Sequence, residues 1–175
     1  GNTNLRISYT GSSSENPGGQ TVTGTIPSTG LTWSFDLTTG ALTVTGTGAI
    51  PDYASANATP WSAYATRIKS VTLQTGVTGI GSYAFAGMTA LRDVYLPETL
   101  TSIGAYAFSG ATSLVHVKIP TAVTYLGVGA FRECTSLTAI EIPQNILTIS
   151  DEAFFRCEAL ETVTFNEGLV EIGAK

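Results

Sequence analysis

Phe85, Phe108, Phe131 and Phe154 stand 23 residues apart, and a whole cassette of residues travels with them. A fixed period of this size constrains the fold more than any other feature, because it marks a stack of similar supersecondary units. The units read IGSYAFAGMTALRDVYLPETLTS (80–102), IGAYAFSGATSLVHVKIPTAVTY (103–125), LGVGAFRECTSLTAIEIPQNILT (126–148) and ISDEAFFRCEALETVTFNEGLVE (149–171). A half unit precedes them, since Ile68, Val71, Leu73 and Val77 lie one period before Leu91, Val94, Leu96 and Leu100. Another opens at Ile172.

Each column has a physical reason. Leu91, Val94 and Leu96 follow an L-x-x-V-x-L spacing whose end alternates, as in a strand with one buried face. Leu114, Val117 and Ile119 repeat it, as do Leu137, Ile140 and Ile142, then Leu160, Val163 and Phe165. Pro97, Pro120 and Pro143 follow at once and suit the end of a strand, because proline has no amide to donate. Leu100, Val123, Ile146 and Leu169 return the chain to the core. The Ala-Phe pair of each unit reads as one short helical or 3₁₀ turn. The expected fold is therefore α/β but β-rich: a solenoid of 23-residue units with parallel, in-register strands. The period sets its boundaries at 1–66 for a β-rich cap with loops and 67–175 for the repeats.

The cassette I-G-x-x-A-F-x-x-C-x-x-L-x-x-V-x-I-P resembles the BspA-like leucine-rich repeats of bacterial surface proteins, with the fullest match from Leu126 to Pro143. The resemblance covers roughly residues 68–175, and the segment Thr32–Tyr53 resembles the leader that often precedes such arrays. It departs at Met88 and Ala111 in the cysteine column and at Asn166, where a proline is expected. The resemblance implies a secreted or cell-surface adhesion module, and it brings no catalytic motif. The expected location is extracellular or cell-surface, with any signal peptide already removed.

Composition narrows the partners. Only 12% of residues are charged and the formal net charge is −5. No basic stripe is available to displace phosphate counterions, so a nucleic-acid partner is not expected. Nor is direct insertion into a membrane, since no apolar run reaches the length of a span. There is no G-x-S-x-G elbow, H-E-x-x-H or phosphate-binding glycine loop, and the lone His116 has no nucleophile beside it. The expectation is a protein that is not an enzyme and carries no cofactor.

Outside the period, Trp33, Phe35 and Leu37 alternate with polar residues, Thr38-Thr39-Gly40 supplies a turn, and Leu42 and Val44 alternate again. That is a β-hairpin, and its expected job is to cover the apolar end of the stack. Ser12–Gly19 reads as a loop, with short strands on either side at Leu5–Tyr9 and Gln20–Ile26. Trp61 and Tyr64 take the helical-turn position of the incomplete first rung; core packing is preferred for them over a sugar platform. At the other end Phe165, Leu169 and Ile172 have no successor. The expectation is that the native chain continues there, with self-association through that end as the alternative. Cys134 and Cys157 share a column and read as buried thiols. A disulfide fits the rung spacing, but parallel side chains make its torsion awkward. Two thiols without a nearby His or acid cannot complete a metal site.

The x positions of the strands form outward columns. Arg92, Asp93, Tyr95, His116, Lys118 and Glu141 gather there on neighbouring rungs and are the candidate binding residues. The bland reading is a solvated face in which Lys118–Glu141 and Asp93–His116 pair across strands for up to about 1 kcal/mol each. The functional reading is a mixed-charge patch for a host-matrix or cell-surface protein. A carbohydrate-binding module using the tyrosines and the Trp61 loop is the second reading, and a ligand-free spacer the third.

Overall fold

The structure, a computed structural model, describes residues 6–8, 20–165 and 167–174. The loop expected at Ser12–Gly19 and the irregular Asn166 lie outside the described residues. The strands are β1 (Arg6–Ser8), β2 (Thr21–Thr25), β3 (Gly30–Asp36), β4 (Ala41–Ala49), β5 (Ser70–Leu73), β6 (Val77–Ile80) and β7 (Asp93–Tyr95). They continue with β8 (Ser102–Ile103), β9 (Tyr125–Leu126), β10 (Ala139–Ile142), β11 (Thr148–Ile149), β12 (Thr162–Phe165) and β13 (Glu171–Ile172). Two short 3₁₀ helices, Ala56–Ala58 and Ser62–Arg67, lie between β4 and β5. The fold is mostly β.

β1 to β4 run antiparallel, with Trp33 opposite Val44 and Phe35 opposite Leu42. Their alternation buries Leu31, Trp33 and Phe35 on one face, as a period-two pattern requires. β4 then changes the architecture. Its first half pairs in parallel with β5 and its last residues with β6. One nine-residue strand thus serves both strand layers of the parallel part. From there the parallel partners stand one period apart: Ser70 with Asp93, Ser102 with Tyr125, Ala139 with Thr162, Ile149 with Ile172.

The ladder is not continuous. Val115–Ile119, expected to be the strand between β7 and β10, forms none. Its side chains still alternate, with Leu114, Val117 and Ile119 buried and Val115, His116 and Lys118 exposed. Hydrophobic periodicity fixes which side faces the core, but ladder hydrogen bonds need the neighbouring rungs close enough to meet. The sheet consequently splits, and β10–β12 and β11–β13 stand as separate pairs.

The opposite side of the stack is closed. Phe85 N–H donates to Ala107 O, Phe108 N–H to Ala130 O and Phe131 N–H to Ala153 O, each at 2.8–2.9 Å. These Ala-Phe segments are tight turns rather than the 3₁₀ helices expected. Tyr83 (φ 60) and Tyr106 (φ 55) sit in the left-handed region, and such residues interrupt a right-handed helix after one turn. Each proline carbonyl closes the next turn, accepting from Leu100, Val123 and Ile146.

Between the two sides runs an aromatic column. Trp61, Phe85, Phe108 and Phe131 have no exposed surface, and successive rings from Trp61 to Phe154 stack 5.4–6.0 Å apart. Trp61 Nε1 donates to Ala84 O at 2.8 Å, so the indole is satisfied inside the core. This removes Trp61 from any sugar platform. Both cysteines are free thiols that donate back one rung, Cys134 to Phe108 O and Cys157 to Phe131 O. Burial raises both thiol pKa values, that of Cys157 to about 11.

Candidate binding face

The threonines and serines have a structural use. Ser113 and Ser136 each donate to the carbonyl of a threonine in the preceding rung at 2.6 Å, and Thr101 donates to Thr78 O at 2.9 Å. Small hydroxyls thereby satisfy loop carbonyls that no strand partner reaches. Much of the uncharged surface is consequently engaged in holding rungs together. The charged side chains stand apart from it.

All six candidate residues are exposed. β7 carries Asp93 and Tyr95, with Arg92 just before it; β10 carries Glu141. His116 and Lys118 project from the unladdered segment between these strands. Arg92, Asp93, Tyr95, His116 and Lys118 border one hollow of about 570 Å³ between β7 and that segment. Glu141 lies beyond the segment and does not border it. Tyr95 is 59% exposed, which leaves its ring open to a partner. A smaller hollow of about 180 Å³ continues past Tyr95 and Lys118 to Glu98.

The expected cross-strand pairs do not form. Among the described residues the ion pairs are those of Arg132 with Glu133 and Glu152, on the turn side. Lys118 does not reach Glu141, nor Asp93 His116, because the rung between them is not laddered and so does not set opposite positions side by side. Arg92, Asp93 and Lys118 are therefore charges without a protein partner. No group of three or more His, Cys, Asp or Glu gathers to hold a metal among the described residues. None of their helices is long and apolar enough to cross a membrane.

Two neighbours escaped the sequence reading. Ser113 and Glu98 border the hollows although neither lies in the L-x-x-V-x-L spacing. On the turn side, Arg132 bonds Glu133 and Glu152, and Arg132 and Arg156 place their guanidinium carbons 4.7 and 5.5 Å from the Phe155 ring centre. The signal was present: after the column phenylalanine the first two units have Ala-Gly and Ser-Gly, the last two Arg-Glu and Phe-Arg. Tyr83 and Tyr106 stack at 5.1 Å and are half-buried.

Against known families, the model of the BspA-type leucine-rich repeat region matches residues 62–175 in six copies. The chain belongs to this family. Solved leucine-rich repeat structures agree with it. A leucine-rich repeat protein from Eubacterium ventriosum is 27% identical with a TM-score of 0.67, over 85% of this chain and 45% of that one. A leucine-rich cell surface protein from Faecalibacterium prausnitzii is 24% identical with a TM-score of 0.63, over 78% and 38%. The T. pallidum leucine-rich repeat protein is 21% identical with a TM-score of 0.50, over 85% and 86%. This leucine-rich repeat chain thus spans less than half the length of the first two. No curated protein matches it.

Proposed function

We propose that this leucine-rich repeat chain is a non-catalytic module, secreted or held at a cell surface, that binds a partner protein through its exposed strand face. The observation that carries the reading is the group Arg92, Asp93, Tyr95, His116 and Lys118, exposed around one hollow without an ion pair among themselves. Charges that a fold leaves unmatched on a concave surface are available to match those of a partner, which favours encounter and specificity. Glu141 extends the face on β10. The family and the cell-surface description of the F. prausnitzii protein support the location. In this reading residues 1–66 form a hairpin-based cap and 67–175 an array of 23-residue units, supported by the pairing of β4 with β5 and β6.

The test is a pull-down from extracellular-matrix and cell-surface extracts, comparing wild type with an Arg92/Tyr95/His116/Lys118→Ala variant of matched melting curve. The expected result is a protein retained by wild type and lost by the variant. Equal retention overturns the site, and no partner for either leaves a spacer. A glycan partner has less support, because Trp61 is enclosed and Tyr95 is the one aromatic bordering the hollow.

A further inference from the structure

The main chain at the hollow is as unmatched as its side chains. Val115 O accepts one bond from Thr138 N at 3.2 Å, beside a long contact from the Thr138 hydroxyl. Beyond that, none of the N–H and C=O groups of Val115–Ile119 has a hydrogen-bond partner among the described residues. One rung earlier Arg92 N donates to Lys69 O at 2.9 Å, and one rung later Glu161 N donates to Thr138 O at 2.9 Å. The gap is thus local. It coincides with the hollow, which Val115, His116, Val117 and Lys118 border. A stretch of unpaired strand-like backbone is a template for another extended chain, since main-chain bonds give affinity and alternate side chains give specificity.

We propose that this hollow receives an extended peptide segment of the partner protein, whose main chain pairs with the free groups of Val115–Ile119. The inference rests on the reading that this face binds protein, and it names the form of the ligand. Charge sets the peptide's character. Arg92 and Lys118 border the hollow as two cations without an ion pair, and they select a segment carrying an acidic side chain, with Tyr95 covering its apolar neighbour. Asp93 on the same rim disfavours a second acid beside it.

Short random peptides displayed on phage and panned against the folded chain provide the test. The peptides selected should carry an acidic residue and slow the amide exchange of His116, Val117 and Lys118, which in the free chain exchange faster than Arg92 and Glu161. Methylating alternate peptide amides should weaken binding at least about tenfold. A His116→Pro chain should weaken it similarly while keeping its melting temperature, because the N–H it removes has no partner. Selected peptides that tolerate methylation, or that leave the three amides fast, overturn the inference, as does a failure to select any. If the pull-down finds a partner that depends on the four side chains while peptides fail, the face binds a folded surface and only this inference falls. If the partner ignores those side chains, the reading of the face falls as well.

Discussion

Two columns of residues adopt positive φ on the turn side, one holding Tyr83, Tyr106, Gly129 and Glu152, the other Gly87, Gly110, Glu133 and Arg156. A left-handed residue costs a side chain about 1–2 kcal/mol, so glycine is the natural occupant. Gly110 separates this cost from sterics. A Cβ there would meet nothing closer than Gly87 at 3.7 Å, so Gly110→Ala should lose about 1 kcal/mol from backbone strain alone. Thermal melting should show a drop of about 2–4 °C, and an unchanged melting temperature would remove the strain argument. Gly129 differs, because a Cβ there would stand 2.5 Å from the Tyr106 ring. The second column was only half legible in the sequence. Glycine in two units announced it, while Glu133 and Arg156 concealed it. Their side chains meet Arg132 and Phe155, contacts that offset part of the strain.

At the scale of elements, the turn between β3 and β4 shows how local chemistry fixes a register. Asp36 Oδ1 accepts the amides of Thr38 and Thr39 at 2.8 and 3.0 Å, and the bonds from Thr39 and then Thr38 hold its carboxyl below the ordinary value of 3.8. A folded-state pKa below the unfolded one gives stability that is present above pH 3.8 and lost as pH falls through the lowered value. Solvent screens this exposed group, so Asp36→Ala should cost no more than about 1 kcal/mol at neutral pH. Its melting temperature should also fall less steeply than that of wild type on acidification. Equal slopes in melts between neutral and acid pH would count against the turn. The turn itself was readable from Thr38-Thr39-Gly40, since these residue types bend a chain wherever they stand. The gap at Val115–Ile119 was not readable. That segment has the same L-x-x-V-x-I pattern as its neighbours, and whether a ladder closes depends on the separation of whole rungs. The candidate face shares this limit: outward columns were legible from alternation, whereas the failure of Lys118 to reach Glu141 was not.

For the molecule as a whole, stability is collective, because each unit buries its apolar side only against the next. Phe131 stacks on Phe108 at 5.4 Å and on Phe154 at 6.0 Å with no exposed surface. Phe131→Ala should cost about 3–5 kcal/mol, a large share of a domain's net stability. Urea unfolding should show the midpoint falling sharply, and a midpoint near that of wild type would mean that the ring column does not hold the array together. The same column has a mechanical side. The rung-to-rung hydrogen bonds of the turns point along the stack, whereas the strands lie across it. Tension applied along the stack therefore falls on one junction at a time, and the junctions part in sequence like a zip. Such an array yields at modest force and lengthens as it does so, which lets a tethered partner move without an abrupt break.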